Sequence, residues 1–294
     1  MKAFSLHFPY LDIAEIIQYY GVFHGYTNLD ALHSNETLIE NIEINILQKY
    51  EQLKPSFIFS DDLKIQQDME KLLFRIAIGN RKIYSIYKDD ISQFHGSYLY
   101  QILFSKGVIF KEISREKPLV TPVKKEFRRY KVEDKILFSK GFYRFWFTFI
   151  TPYKEEIEAG EFKNVLEKIS IWLDKYISLT FEIFSNALIK HHFKIVESGS
   201  YWDKHIELDV LAKTADGKTI VGEAKWKNHK VSKNTLNKLQ KKCELAGLKV
   251  DYFALFSKSG FSNELLKNRD KVSLGYKNIL LYDINSFEEL ISAK

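Results

Sequence analysis

The stretch IELDVLAKTADGKTIVGEAKW, residues 206–226, decides how the C-terminal half of the chain is read. In its first arm Ile206, Leu208 and Val210 alternate with Glu207 and Asp209. In its second, Val221, Glu223 and Lys225 fall on one side, and Gly222 and Ala224 on the other. Period-two alternation predicts two half-buried strands. Ala215-Asp216-Gly217 predicts a turn between them, with the glycine free to take positive φ. Loop length then sets the chemistry. A two-residue Asp216-Gly217 turn puts Asp209 opposite Ala224, so Asp209 and Glu223 point to different sides of the sheet. A three-residue loop, with Gly217 left-handed in a G1 bulge, puts Asp209 opposite Glu223. The three-residue loop is expected, with Asp209, Glu223 and Lys225 sharing one face.

Two carboxylates and an ammonium converging on a strand face have a recognisable chemistry. Hard oxygen donors suit Mg2+, which keeps several waters and is held by one or two carboxylates plus substrate phosphate. A lysine beside them can orient an attacking water and stabilise charge developing on a phosphate. The same residues also suit the wet face of an ordinary hairpin, because E-x-K is a common tripeptide.

The wider pattern resembles the PD-(D/E)XK nuclease superfamily. Its order is a helix with a glutamate, here Glu182 in FEIFSNAL, a strand ending in an acidic pair, a turn, a strand with E-x-K, and a basic helix. YWDKHIELDVLAK and IVGEAKWKN are similar, more closely, to the nuclease-like C-terminal domain of archaeal-type ATPases. There a Trp-containing stretch precedes an E-I-D-like strand and a G-E-x-K-W strand. The resemblance implies that Asp209 and Glu223 bind the metal with the backbone carbonyl of Ala224, and that Lys225 is the catalytic lysine. Glu182 would be the first-helix glutamate, holding a second ion or the water. Glu207 would be a supporting or alternative ligand. Gln240, Lys241 or Lys242 would be the polar residue of the second helix. YYGVFHGYTNL also resembles the segment that follows the ATPase core in that family, with Phe23-His24-Gly25-Tyr26 where a GG-x-P motif usually stands. No G-x-x-x-x-G-K-[ST] occurs, so the expected architecture is the rear portion of the family's, without its ATPase module and with no nucleotide partner.

Composition bounds the rest. The 294 residues suffice for two domains with proper cores, and 45% apolar with 15% aromatic residues is a globular balance. The single Cys243 excludes an internal disulfide framework and fits a reduced cytosol. Pro9, Asp12 and Glu15 interrupt the opening before any signal-like apolar run. GFYRFWFTFITP, cut by Arg144 and Pro152, is too short to span a bilayer. A cytoplasmic protein with no membrane partner is expected. Residues 1–185 carry balanced charge, while residues 186–294 hold 19 Lys+Arg against 13 Asp+Glu and so carry the whole net charge of +6. A basic domain around an acidic pocket is what cleavage of a polyanion requires.

Four segments are expected. Residues 1–60 read as amphipathic helices, 9–24 and then ETLIENIEINILQKY capped by Asn35 or Ser34. Residues 61–136 read as three helices (KIQQDMEKLLFRIAIG, RKIYSIYKD, SYLYQILFSKG) stopped at Gly79 and Gly107, then strands VIFKEI and FRRYKV. That is a winged helix-turn-helix pattern. Ser92, Gln93, His95, Ser97, Tyr98 and Gln101 are its candidate recognition residues. Lys124, Lys125, Arg128, Arg129 and Lys131 are candidate wing contacts to phosphate. Such modules also serve as protein–protein spacers. Residues 137–160 form an aromatic connector whose density of Phe, Tyr and Trp predicts burial. Residues 161–294 read as a long helix or two, then an αββαβαβ-like core, with Lys227, Lys230 and Lys233 as a phosphate track.

The fold expectation is therefore an α/β C-terminal domain, a restriction-endonuclease-like mixed sheet flanked by helices, behind a mainly helical winged-helix domain. The functional expectation is a Mg2+-dependent DNA endonuclease, with Mn2+ as substitute, acting first on double-stranded DNA and with a homodimer open. The rival is a catalytically inactive DNA-binding or protein-interaction protein with a nuclease fold, acting with an ATPase partner. An RNA-directed nuclease would share the same pocket.

Overall fold

The computed structural model describes residues 2–87, 90–115, 132–269 and 278–292. The N-terminal half carries α1 (Lys2–His7), α2 (Ile13–Phe23), α3 (Leu38–Ile42), α4 (Tyr50–Leu53), α5 (Leu63–Ala77) and α6 (Gln93–Ser105). At the start of α2, Asp12 and Glu15 each accept from the other's backbone N–H, satisfying two donors that a helix end otherwise strands. Thr37, rather than the expected Asn35 or Ser34, caps α3, because T-x-x-E lets Glu40 return the bond. Among the described residues of RKIYSIYKD, up to Tyr87, there is a 3-10 turn at Ile83–Ile86 and not the expected helix. It has no capping side chain, and so short a piece gains too few hydrogen bonds to offset nucleation.

β1 (Ile109–Glu112) pairs antiparallel with β2 (Lys135–Phe138), from Ile109↔Phe138 to Glu112↔Lys135. The expected partner strand FRRYKV falls at 127–132, of which 127–131 lie outside the described residues, as do Lys124, Lys125, Arg128, Arg129 and Lys131. Next come α7 (Gly141–Phe145), a π-helical turn at Trp146–Ile150, α8 (Lys154–Glu158) and α9 (Phe162–His192). The aromatic run is buried as its composition dictates. Phe142, Phe145, Trp146, Phe147 and Phe149 are all in the core, and Trp146 stacks on Phe57 at 3.9 Å.

The C-terminal elements are β3 (Ile195–Trp202), β4 (Glu207–Thr214), β5 (Thr219–Lys225), α10 (Lys233–Leu245), β6 (Tyr252–Ser257), α11 (Asn263–Arg269), β7 (Ile279–Asp283) and α12 (Glu289–Ser292). They form a five-stranded mixed sheet in the order β3-β4-β5-β6-β7, antiparallel as far as β5 and parallel from β5 to β7. β3 is the strand that the αββαβαβ expectation lacks. Its alternation is broken by register shifts at Ile195/Glu197 and Gly199/Tyr201, and Val196 is exposed where a strand residue would be expected to pack.

One face of the sheet packs on α9 through Val210, Ala212, Ile220 and Ala224, in a hydrophobic core continuous with the N-terminal helices. The other face packs Leu211, Val221 and Leu255 against Leu236, Leu239 and Cys243 of α10. Cys243 is a small buried packing residue, its thiol pushed up to about 12 by burial. Among the described residues no helix is long and apolar enough to cross a membrane.

Tyr176 of α9 ties the helical half to the sheet's cover. Its hydroxyl donates to Gly21 O at 2.8 Å and to Gly141 O at 3.0 Å, and Arg144 lies over its ring at 4.1 Å. Tyr176→Phe deletes both bonds from a buried site. It should cost about 2 kcal/mol, lowering Tm by roughly 3 °C in a chain of this size. An unchanged calorimetric Tm would show that the hydroxyl does not hold the junction.

Candidate active site

The hairpin between β4 and β5 takes the three-residue register. The pairs run Val210↔Gly222, Leu211↔Val221, Ala212↔Ile220 and Lys213↔Thr219. Gly217 sits at φ 83°, its N–H donating to Thr214 O at 3.0 Å, and Thr214 N–H donates to Lys218 O at 2.9 Å. Carried one step further, that register faces Asp209 with Glu223, and there the ladder stops. Beyond it β4 keeps only its other neighbour β3, with Leu208 paired to Tyr201 and Glu207 to Trp202. Asp209 bridges the fork with its side chain, Oδ2 accepting the Ala224 N–H at 2.8 Å. From α9, the Asn186 amide donates to Asp209 O at 2.9 Å, which fixes the strand against the helix.

Charge is divided unevenly in this fork. Glu223 is buried and both its oxygens face ammonium groups, Oε1 at 2.6 Å from Lys225 Nζ and Oε2 at 2.8 Å from Lys242 Nζ. Burial alone would raise Glu223, but the two lysines more than offset it and hold the carboxyl below its usual range. Lys225 is raised: burial opposes its charge, and Glu223, Asp209 and Glu182 outweigh that. Asp209 has no such partner. Burial, then the Glu182 and Glu223 carboxylates, push it well above the ordinary aspartate range, against the Ala224 N–H and Lys225. Glu182 is raised too, chiefly by burial, with Arg81 and Arg144 opposing. Glu182, Asp209, Glu223 and Lys225 thus sit in one another's fields, brought together from α9, β4 and β5.

The other sequence candidates are placed differently. Glu207 turns toward the helical half, 2.5 Å from Lys135 Nζ and 3.7 Å from Arg81, so its charge is already neutralised. Gln240 and Lys241 lie on α10, but Lys242 is the helix residue that reaches Glu223. The signal for Lys242 is its place between Leu239 and Cys243 on the buried stripe of α10, where a long side chain can lie along the core to the strand ends. Lys227 and Lys230 are exposed after β5, and Lys233 meets Glu264 at 3.3 Å. The sequence reading also lacked Asp174 of α9, which accepts from Trp226 Nε1 at 2.9 Å, Asn228 at 3.0 Å and Lys258 at 3.2 Å beside the ends of β5 and β6.

Among the described residues no group of three or more His, Cys, Asp or Glu side chains is placed to hold a metal ion. Mg2+ needs fewer protein ligands, one or two carboxylates with waters and phosphate making up its shell. Asp209 and Glu223, hard-oxygen donors in a space where Asp209 lacks a counter-cation, meet that requirement.

A raised carboxyl pKa has a definite sign in stability. The folded protein holds the Asp209 proton more tightly than the unfolded chain, so this group's contribution is full below the unfolded pKa. It is lost as pH rises from there through the folded pKa. Asp209→Asn keeps an oxygen for the Ala224 N–H and removes the charge. At neutral pH without divalent ions the variant should melt about 2 °C above wild type, the equivalent of roughly 1 kcal/mol, with the gap closing as pH falls toward 4. Thermal melts across pH would expose the opposite order.

A family described as archaeal and bacterial proteins of unknown function (DUF234) matches residues 146–239, a span that holds Glu182, Asp209, Glu223 and Lys225 and ends before Lys242. An uncharacterized protein of Methanocaldococcus jannaschii is 29% identical over 256 residues, covering 83% of this chain and 51% of its own length. The chain therefore spans about half the length of that curated relative. Among solved structures, Can2 from Sulfobacillus thermosulfidooxidans in complex with cyclic tetra-adenylate aligns over 85% of this chain and 53% of its own. The identity is 13% and the TM-score 0.25, too low for the likeness to carry an argument.

Proposed function

We propose that this protein is a Mg2+-dependent phosphodiester hydrolase acting on DNA. The observation that carries the reading is the meeting of Asp209 and Glu223 from neighbouring strands beside Lys225, with Asp209 half-buried against like charge. Asp209 and Glu223 would hold the ion, with the Ala224 carbonyl. When bound, Mg2+ supplies positive charge to a phosphate oxygen and lowers the pKa of water.

The chain's own groups do the rest. Lys225, kept charged by Glu223, Asp209 and Glu182, orients the attacking water and stabilises charge on the phosphate. Glu182, whose carboxyl is raised, can take a proton from that water at a pH nearer neutrality than an ordinary glutamate could. The exposed Lys227 and Lys230 offer positive charge to the backbone. Contact between DNA and a winged helix built on α5, α6, β1 and β2 belongs to the same proposal.

One observation favours the second reading, an inactive nuclease fold that only binds. Both Glu223 oxygens are held by lysines, and such pairs can serve as permanent neutralisation. Calorimetric titration with Mn2+ separates the two readings. Binding that Glu223→Ala abolishes, with plasmid cleavage that Asp209→Ala lowers by at least about a hundredfold (roughly 3 kcal/mol of barrier), is the expected result. Equal cleavage by wild type and Asp209→Ala, or no Mn2+ binding to wild type, would remove the enzyme.

A further inference from the structure

A cavity of about 460 Å3 opens between the end of α5, β2, the π-helical turn and α9, within the ~300–1,000 Å3 of small-ligand sites. Its walls are aromatic: Phe74, Phe149, Tyr153, Trp172 and Tyr176. Trp172 stands at the rim, 50% exposed where the helix pattern would have it packed, with Lys175 Nζ at 5.1 Å from its ring centroid. Four cations also line the space, Arg81, Arg144, Lys168 and Lys175, against the carboxylates of Glu182 and Glu207.

Pairing takes Arg81 and Glu207 out of that count together and leaves three cations against Glu182. Glu207 is already paired with Lys135 and Arg81. Among the described residues Arg144, Lys168 and Lys175 make no ion pair. The Arg144 guanidinium rests on the Tyr176 ring and donates to Tyr176 O at 2.6 Å. A guanidinium held in place by an aromatic ring and one carbonyl keeps further donors for an anion. Aromatic walls with unpaired cations fit an occupant that has both a flat ring and a negative charge. A nucleotide is that occupant.

Glu182 is a wall of this cavity and also lies in the electrostatic field of Asp209. From that shared wall we infer that the cavity receives one unstacked nucleotide of the substrate strand, its base against Trp172 and its phosphate toward Arg144 and Lys175. This rests on the phosphodiesterase reading and narrows it. A base inside an intact duplex enters such a space only after unstacking. The preferred substrate is therefore single-stranded, or a duplex with an unpaired end.

The test is binding without catalysis: fluorescence anisotropy in EDTA with a labelled single-stranded oligonucleotide and a blunt duplex of equal length. The single strand should bind about tenfold tighter, in line with the ~1–3 kcal/mol per base of aromatic stacking. Trp172→Ala, at an exposed rim that folding does not need, should remove most of that preference and leave duplex binding unchanged. Lys175→Gln should weaken single-strand binding and flatten its salt dependence. Equal affinity for the two forms, or a preference untouched by Trp172→Ala, overturns the inference. Competition by a mononucleotide as strong as that by the oligonucleotide would overturn it too, since the cavity would then serve a free ligand. Because no cleavage is read, a protein that binds in this way but never cuts would refute the hydrolase and leave the cavity's role standing.

Discussion

The repulsion of Asp209 by Glu182 on one side and Glu223 on the other, in a partly buried space, is the constraint that the surrounding structure answers. Carboxylates taken out of water need partners or must give up their charge. Glu223 takes two lysines, Glu182 faces Arg81 and Arg144, and Asp209 receives chiefly the dipole of one peptide N–H. That bond exists only because β4 and β5 part company where they do. If the ladder continued past Val210 and Gly222, a strand carbonyl could claim the Ala224 N–H, and the aspartate would be more isolated still. The fork, the lysines of β5 and α10, and the arginines from the helical half are parts of one electrostatic arrangement drawn from distant stretches of sequence.

How much of this was legible follows from how local each cause is. The hairpin register depends on a few adjacent residues, Ala215-Asp216-Gly217, where only glycine takes the left-handed step cheaply, so the sequence sufficed. The burial of the run from Phe142 to Phe149 needed only composition. β3 was hidden because its two register shifts destroy the period-two signal, and its pairing with β4 is a long-range fact. The turn at Ile83–Ile86 read as a helix because its apolar spacing is helical, while length and capping, which decide short elements, were against it.

The site shows the same division. Asp209, Glu223 and Lys225 lie within one hairpin, so their shared face could be argued from alternation. Glu182 came only through a family pattern, because a lone glutamate on a helix says nothing of what packs against it. Which of Gln240, Lys241 and Lys242 meets Glu223, and where Arg144 lies, could be known only once α10 and α7 had docked, since the partners of Lys242 and Arg144 are 19 and 32 residues away. Glu207 shows the converse. It alternates correctly with Asp209 and yet faces the helical half, where Lys135 lies over Trp202 and meets its carboxylate.

The lysines on Glu223 bear on whether this arrangement is a machine or a scaffold. Permanent neutralisation would be best served by one cation per carboxylate, yet two ammoniums crowd Glu223 while Asp209 stays uncompensated. On the hydrolase reading, a phosphodiester arriving at that spot would offer the ammoniums a second anion of their own. As they turn to it, Glu223 and Asp209 are left as two adjacent carboxylates that need a cation. Each lysine would then trade one anion for another. That keeps the desolvation cost of the loaded site near that of the empty one. That is the charge distribution which the proposed hydrolase, accepting a polyanion and a cation together, would use.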